Sequence, residues 1–231
     1  MASGKRHTDA LKRYDREHAH TAPEAVDLVK VMATAKFNET IEFVTRLGID
    51  PRKTDEMVRG TVSLPSGTGG DVRVAVFAEG EAATAARDAG ADFVGSDDLA
   101  AEVEGGMMDF DVAIATPSMM PTVGKLGRAL GPRGLMPNPK TGTVTDDVAK
   151  AVADFKGGKV EYRADRNANV HVPIGKASFS ADEIMANLTA LVEELERAKP
   201  ASAKGRYFRK VTLSSTMGPG VLIDAGSISS S

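Results

Sequence analysis

The run GKLGRALGPRGLMPNPK at residues 124–140 combines four basic side chains with four glycines and three prolines. No Asp or Glu occurs between Asp111 and Asp146, although the whole chain carries a formal net charge of −3. Cations without a counter-ion repel one another unless an outside anion neutralises them. Glycines have no side chain, so the backbone of a bulky partner can approach them closely. A purely structural loop is the alternative. The candidates for contacts to a phosphate or to a bound partner are Lys125, Arg128, Arg133 and Lys140.

A second set of candidate groups lies along and just before the strand predicted at Asn169–Ile174. Its valines and Ile174 share one parity and face the core, so the residues between them face away. A solvated sheet face also explains this alternation. Amides, imidazole and guanidinium groups, however, are the groups that recognise sugar hydroxyls and base edges. The candidates here are Arg163, Arg166, Asn167, Asn169 and His171.

Two further segments have types of side chain that suit contacts to RNA. Residues 36–40 (KFNET) place a cation, an aromatic ring and short polar groups at a predicted helix-to-strand corner. Residues 214–220 (SSTMGPG) offer a glycine-exposed backbone, and hydroxyl donors at Ser215 and Thr216. The unbranched Met217 is able to lie against a ribose or a base. Turn propensity alone is the alternative explanation of the second segment.

Enzymatic chemistry has little support in the sequence. The four histidines, three of them before residue 21, lack the spacing and the carboxylate of a zinc helix. No GxSxG, Walker or HExxH motif occurs, and the turn after the first central strand (AEGEA) is too acidic for a pyrophosphate. We therefore predict no catalytic residue, no metal and no cofactor. An α/β enzyme that binds a phosphorylated small molecule is the alternative function.

The central segment, residues 66–158, alternates short apolar strands with helices, which predicts a small parallel sheet. Ser96 and Thr145 are the expected N-caps of two of its helices. One continuous helix at Met119–Leu130 would place Lys125 and Arg128 on the same face. The predicted strands are Val72–Phe77, Asp92–Val94 and Phe110–Ala115, and the other helices are Glu79–Ala89, Asp97–Glu104 and Asp146–Phe155.

The two ends of the chain follow a different pattern. Capping boxes at Thr21–Glu24 and Ser180–Glu183 predict two helix starts, and the second helix has Ile184, Leu188, Leu191 and Leu195 on one stripe. The predicted strands are Phe37–Leu47, Val58–Leu64, Val160–Arg163, Asn169–Ile174 and Tyr207–Ser215.

Neither end alone supplies enough elements for a core. The predicted architecture is therefore a discontinuous α+β domain, residues 1–65 and 159–231, with a Rossmann-like α/β domain, residues 66–158, inserted in it. Both crossings, residues 67–71 and 155–159, are glycine-rich, which suits a hinge. The inserted segment holds 8 basic and 14 acidic side chains, whereas the two ends together hold 21 and 18. The acidity therefore belongs to the inserted domain.

Composition limits the class of protein and its compartment. Of the 231 residues, 42% are hydrophobic and none is cysteine, which excludes disulfides and fits a reducing compartment. No apolar run approaches the roughly 20 residues of a membrane span, and the N-terminus is charged where a signal peptide would be apolar. These features predict a cytoplasmic protein without membrane contact.

Several motifs resemble those of the bacterial large-subunit ribosomal protein one family, the protein of the ribosome's mobile side stalk. They are GKLGRALGPRGLMPNPKTGTVT, ATAKFNET, RLGIDPRK, NVHVPIGKASF and STMGPG, and they span nearly the whole chain in the family's order. The resemblance implies the two-domain fold described above. It implies that the basic run at residues 124–140 lies on the inserted domain near the interdomain cleft, where its cations meet either RNA or acids of the other domain. It also implies that the discontinuous domain binds ribosomal RNA through Lys36, Phe37, Thr40, Arg163, Arg166, Asn167, Asn169, His171, Thr216, Met217 and Gly218.

The resemblance further implies a structural constituent of the large ribosomal subunit, a monomer within the ribosome. It implies help in releasing deacylated tRNA from the exit site, and repression of its own operon by binding its own mRNA. Two features depart from the family. Members are basic overall, whereas this chain has a pI of about 5.9, and the serine-rich end, which we expect to be a disordered tail, has no counterpart.

Overall fold

The computed structural model describes residues 4–228. The helices of this part of the chain are α1 (Lys5–Leu11), α2 (Ala22–Met32), α3 (Gly80–Asp88), α4 (Asp97–Glu104), α5 (Met120–Lys125), α6 (Gly127–Leu130), α7 (Val148–Lys156) and α8 (Ala181–Arg197). Its strands are β1 (Thr40–Leu47), β2 (Arg59–Ser63), β3 (Val74–Phe77), β4 (Phe93–Gly95), β5 (Val112–Ala115), β6 (Lys159–Arg163), β7 (Asn169–Lys176), β8 (Phe208–Ser215) and β9 (Val221–Ile223).

The chain divides into two compact units. The discontinuous unit contains the chain up to Gly70 and from Val160 onward, and the inserted unit contains Asp71–Lys159. The first has a four-stranded sheet in the order β7-β1-β8-β9 and a two-stranded sheet of β2 and β6, and the second has a three-stranded sheet in the order β4-β3-β5. This mixture of helices with several sheets confirms the predicted α/β class.

The four-stranded sheet of the discontinuous unit is antiparallel and has one covered face. The strand β1 pairs with β7 on one side and with β8 on the other, and β8 pairs with β9. Along β1 the residues Ile41, Phe43, Thr45 and Leu47 are buried, at 0–1% exposure, under α2 and α8. The residues between them face the opposite side, which we call the open face.

Local sequence signals explain where the two long helices begin. At α2 the Glu24 carboxylate accepts the Thr21 backbone N–H at 3.0 Å, and at α8 the Glu183 carboxylate accepts the Ser180 N–H at 2.8 Å. Both predicted capping boxes are thereby confirmed. The predicted apolar stripe of α8 is also confirmed, because Ile184, Leu188, Leu191 and Leu195 are all buried.

The inserted unit is a parallel three-stranded sheet with helices on both faces. Strand β3 is central and pairs in parallel with β4 and β5. Its four residues are all buried, as expected for a strand covered on both sides. The helices α4, α5 and α6 pack on the face of Ala75 and Phe77, and α3 and α7 pack on the face of Val74 and Val76.

Three local predictions for the inserted unit were wrong. The helix expected at Met119–Leu130 is broken at Leu126 into α5 and α6, preceded by a 3-10 turn at Pro117–Met119. Ser96 makes no side-chain cap, and its own N–H donates to the Asp98 carboxylate at 2.7 Å. At α7 the cap is Asp147, not Thr145, and its carboxylate accepts the Lys150 N–H at 3.2 Å.

The C-terminal end contains a strand that the sequence reasoning missed. Val221–Ile223 forms β9, which continues the four-stranded sheet beside β8. The residues Val221 and Ile223 are buried in the core. The tail predicted for the serine-rich run lies, from residue 229 onward, outside the described residues.

Candidate nucleic-acid interface

The carboxylate of Glu39 joins two loops that lie far apart in the sequence. Its Oε1 accepts the Ala35 N–H at 2.8 Å. Its Oε2 accepts the Met217 N–H at 2.9 Å and the Ser215 hydroxyl at 2.7 Å. The residue is 1% exposed, so water does not satisfy these groups in its place. Glu39 therefore fixes the 33–39 loop and the 214–218 loop against each other.

The ionisation of Glu39 follows from this arrangement. Burial raises the pKa of the Glu39 carboxyl, but the hydrogen bonds from Ala35, Met217 and Ser215 favour the charged form, and together they lower the pKa below its ordinary value. The carboxylate is therefore the form that the two loops require at neutral pH.

Thr40 and Thr216 form a second link at the same end of the sheet. The Thr216 hydroxyl accepts the Thr40 N–H at 3.0 Å and donates to the Thr40 carbonyl at 3.3 Å. The Thr216 N–H also donates to the Thr40 carbonyl, at 3.0 Å. The hydroxyl of Thr40 in turn accepts the Lys176 ammonium at 2.8 Å. Both predicted threonines therefore lie together, and Lys176, which the sequence reasoning missed, joins them.

A third loop, after β7, completes this end of the sheet. The Asn38 side chain donates to the Ser178 hydroxyl at 2.8 Å and accepts the Ser178 N–H at 3.2 Å. The Ala177 N–H donates to the Glu39 carbonyl at 2.8 Å. Residues 33–40, 176–178 and 214–218 consequently form one hydrogen-bonded surface, which we call the loop junction.

The loop junction exposes two large apolar side chains. Phe37 is 54% exposed and Met217 is 64% exposed. The strand predicted from Phe37 begins only at Thr40, so Phe37 lies in the loop before β1. Flexible thioether and aromatic side chains held on a polar surface are suited to packing against bases or riboses.

Two of the candidate residues in the 214–218 loop act inside the protein. Ser215 is 4% exposed and its hydroxyl donates to Glu39, so the prediction of Ser215 as a hydroxyl donor to RNA was wrong. At Gly218 an added Cβ would collide with the Ser215 hydroxyl. Gly218 therefore keeps the loop closed around Ser215, whereas Thr216 and Met217 are the exposed members of this segment.

The open face extends the loop junction along the sheet. His171 lies beside Val44, which pairs with Thr212 on its other side, whereas Asn169 lies beside Arg46 at the far end of β1. Arg46 lies six residue steps along β1 from Thr40, a distance of about 20 Å. Arg46 and Lys210 are adjacent, exposed cations on this face that the sequence reasoning missed. Their outward parity in β1 and β8 was the signal that would have identified them.

The turn that precedes β7 positions the remaining candidates. The Asp165 carboxylate accepts the N–H groups of Asn167 at 2.7 Å and of Asn169 at 2.8 Å, and the Asn169 side-chain amide at 3.1 Å. Burial raises the pKa of Asp165, but these hydrogen bonds lower it, with a further contribution from His171, and the net shift is downward. Arg163, Arg166, Asn167 and His171 remain exposed, whereas the amide of Asn169 is partly committed to Asp165.

The basic run of the inserted unit is exposed but not arranged as predicted. The break at Leu126 separates Lys125 from Arg128, so they do not share one continuous helix. Lys140 lies in a 3-10 turn that Asn138 caps by accepting the Lys140 N–H at 2.8 Å. Within the described part of this unit, no acidic side chain forms an ion pair with Lys125, Arg128, Arg133 or Lys140.

Other kinds of site are not found in residues 4–228. No group of three or more His, Asp or Glu side chains in this range is placed to hold a metal ion. No helix in this range is long and apolar enough to cross a membrane.

Comparison with known proteins matches this architecture to a family. The model of the ribosomal protein L1p/L10e family covers residues 29–219, which include the loop junction and the open face of β1, β7 and β8. The chain belongs to this family. The resemblance found in the sequence motifs is thereby confirmed, and with it the interpretation as a ribosomal protein and not an enzyme.

Curated relatives extend the similarity over nearly the whole chain. A protein of Cutibacterium acnes named large ribosomal subunit protein uL1 is 58% identical over 224 residues, which are 97% of this chain and 97% of the relative. Proteins of the same name from Thermobifida fusca and a Nocardioides species are each 56% identical over 97% of this chain. The matched regions are 95% and 93% of the lengths of these two relatives.

Proposed function

We propose that this chain is a structural constituent of the large ribosomal subunit, in the cytoplasm, and that it binds the ribosomal RNA of the mobile side stalk. The observation that carries the proposal is the loop junction, in which Glu39 holds the exposed side chains of Phe37 and Met217 on one surface. Family membership and the relatives' name, large ribosomal subunit protein, support it. No catalytic step or cofactor is required for this role.

RNA contacts on this surface divide into two kinds. At the loop junction, Phe37 and Met217 supply apolar area for bases or riboses, and Lys36 and Lys176 supply charge. Along the open face and the turn before β7, imidazole, guanidinium, ammonium and amide groups suit phosphates, sugar hydroxyls and base edges. The groups of this second kind are Arg46, Arg163, Arg166, Asn167, Asn169, His171 and Lys210.

We further propose that RNA affinity belongs to the discontinuous domain, residues 1–65 and 159–231, and not to the inserted domain, residues 66–158. The two ends carry a net charge of +3 and the inserted segment carries −6. The test uses two fragments, residues 1–65 joined by a short linker to residues 159–231, and residues 66–158 alone. Each fragment is titrated with an RNA hairpin from the base of the stalk, called the stalk hairpin below. Equal affinity of the acidic fragment, when both fragments are folded by circular dichroism, would contradict it.

We propose two further roles that the family resemblance implies, release of deacylated tRNA from the exit site and repression of the protein's own operon. A messenger that presents the stalk hairpin's shape would compete for the loop junction, because both RNAs need Phe37 and Met217. Purifying the protein from cells and sequencing the associated RNA tests the proposed repression. Recovery of ribosomal RNA together with its own messenger supports repression, and recovery of ribosomal RNA alone contradicts it.

The basic run of the inserted unit fits a secondary contact. Lys125, Arg128, Arg133 and Lys140 are exposed around glycines and lie in a segment without acids. They suit either the phosphates of a bound tRNA or acids of the discontinuous unit. Replacing all four by Gln while measuring tRNA affinity separates these alternatives, because only the first predicts a loss of tRNA binding.

A further inference from the structure

The N-terminal segment, residues 5–17, is attached to the discontinuous unit beside the loop junction. His20 lies next to Ile223 in a parallel bridge, so the chain before α2 runs alongside β9. The His20 N–H donates to the Leu222 carbonyl and the Asp224 N–H donates to the His20 carbonyl, each at 2.9 Å. These bonds add one more extended segment to the edge of the four-stranded sheet.

Two side-chain hydrogen bonds anchor residues 13 and 14 of this segment. The Tyr14 hydroxyl donates to the Gly220 carbonyl at 2.9 Å, two residues after Gly218 of the loop junction. The Arg13 guanidinium donates to the Val31 carbonyl at 3.3 Å, near the end of α2 and just before the 33–39 loop. Residues 13 and 14 therefore lie at the end of the sheet that carries Phe37 and Met217.

The segment brings positive charge to this position. Residues 5–17 hold five basic and three acidic side chains in a chain whose net charge is −3. Lys12 pairs with Asp9 at 3.3 Å, and the Asp15 carboxylate accepts the Glu17 N–H at 2.9 Å. Arg13 and Arg16 are exposed, and neither forms an ion pair with a described residue.

Arg16 follows the anchored Tyr14 by two residues, so it lies near the same anchor. Burial raises the pKa of the Tyr14 phenol, and the positive charge of Arg16 lowers it in part. The guanidinium of Arg13 has five N–H donors, of which the bond to Val31 uses one. Both guanidinium groups can therefore reach outward to a phosphate in a bidentate geometry.

We infer that Arg13 and Arg16 form a cationic arm that contacts the phosphates of the RNA strand leaving the loop junction. This inference rests on the proposed RNA-binding function. It adds a contact outside residues 29–219, the range that matches the family model. The arm adds affinity and salt dependence but no sequence preference, because guanidinium contacts to phosphates position an RNA without reading its bases.

The test is a salt titration of the full chain with a stalk hairpin. The variant carries Arg13→Gln and Arg16→Gln, and the charge-matched control carries Arg87→Gln and Lys150→Gln, two exposed cations of the inserted unit. Each lost phosphate contact reduces the log–log salt slope by about 0.7–0.9. We expect the arm variant to lower the slope by roughly 1.4–1.8 and to weaken binding roughly 5- to 50-fold near 0.1 M salt, with the control unchanged.

Three outcomes would decide against the arm or against the function beneath it. An unchanged slope in the arm variant, or an equal decrease in the control, overturns the arm while wild-type binding keeps the proposed function intact. Failure of the wild type to bind any stalk hairpin overturns the proposed function itself. The Arg13 guanidinium also donates a hydrogen bond to the Val31 carbonyl, so its replacement can affect folding as well as RNA binding. The single variant Arg16→Gln is therefore measured in parallel. If the double variant has a lowered melting temperature, an unchanged slope in Arg16→Gln overturns the arm.

Discussion

The Met217 backbone N–H donates to the buried Glu39 carboxylate at 2.9 Å, across 178 positions of sequence. The same carboxylate accepts the Ala35 N–H at 2.8 Å, so one side chain sets the positions of both loops that expose large apolar groups. A carboxylate has two oxygens that only accept, which matches three converging donors. Glu39 thus positions the surface proposed for RNA without being accessible to it.

Glu39→Gln is expected to loosen the loop junction. An amide offers one oxygen and one NH₂ group, so whichever way it turns, either the Ala35 N–H or the Met217 N–H faces another donor. Leaving one buried N–H unpaired costs about 1–3 kcal/mol. We expect a lower melting temperature and weaker hairpin binding, with faster hydrogen exchange at Ala35 and Met217.

The control for Glu39→Gln is Asn187→Ala, which removes another buried polar side chain of the same unit. The Asn187 amide donates to the Gly67 and Ile174 carbonyls at 2.9 and 2.8 Å and is fully buried. This variant should lose stability but keep hairpin affinity when measured well below its melting temperature. Equal loss of affinity in both variants would mean that general instability, not the loop junction, governs binding.

The pH dependence of stability should reflect the Glu39 carboxylate. Its pKa in the folded protein lies below the ordinary value of 4.5. The stabilisation is therefore fully present above the ordinary pKa and is lost as the pH falls through the folded pKa. Melting curves of the wild type and Glu39→Gln from pH 7 to pH 3 should converge at the acidic end. A difference between the two proteins that stays constant over this range would contradict the assignment.

Thr216→Val should affect both folding and binding. The substitution keeps the shape but removes the hydroxyl that accepts the Thr40 N–H at 3.0 Å. We expect a stability loss of about 1 kcal/mol and a hairpin affinity loss of about 1–3 kcal/mol. Thr189→Val, which removes a hydroxyl bond to the Met185 carbonyl on α8, is the matched control. Affinity that falls no further in Thr216→Val than in this control would restrict Thr216 to a structural role.

The salt dependence of wild-type binding should be modest for an RNA-binding protein. Because the discontinuous domain has a net charge of only +3, specific contacts must supply much of the affinity. We expect a log–log slope that corresponds to about three to five phosphates. Arg163→Gln and Arg166→Gln should each lower it by about 0.7–0.9. A slope near ten, equal for the hairpin and for random duplex RNA, would show that bulk charge dominates.

Features set by neighbouring residues were predictable from the sequence. The capping boxes at Thr21 and Ser180 lie within four residues, and the stripe of α8 has a regular period. The break at Leu126 was missed because apolar residues at helical spacing continue across it. The glycines and prolines on both sides signal an interruption, but they do not fix its position. Ser96 has the residue type of an N-cap, but its side chain makes no capping bond, and nothing in the local sequence signals this.

The candidate site was predictable as a set of segments but not as a connected structure. The side-chain types of residues 36–40 and 214–220 predicted both segments as candidate RNA contacts. The bonds that join them cross more than 170 positions, and no local pattern encodes which carboxylate is buried. Ser215 was therefore predicted to contact RNA, whereas its buried hydroxyl donates to Glu39.

The most direct test of the account is hairpin binding by Phe37→Ala and Met217→Ala, singly and together. Both side chains are more than half exposed, at 54% and 64%, so neither change should lower the melting temperature appreciably. We expect each to weaken binding of the stalk hairpin by about 1–3 kcal/mol, whereas Met57→Ala, an apolar side chain at 39% exposure outside the loop junction, leaves it unchanged. Wild-type affinity in both loop variants, with native melting temperatures, would contradict the claim that this surface binds RNA.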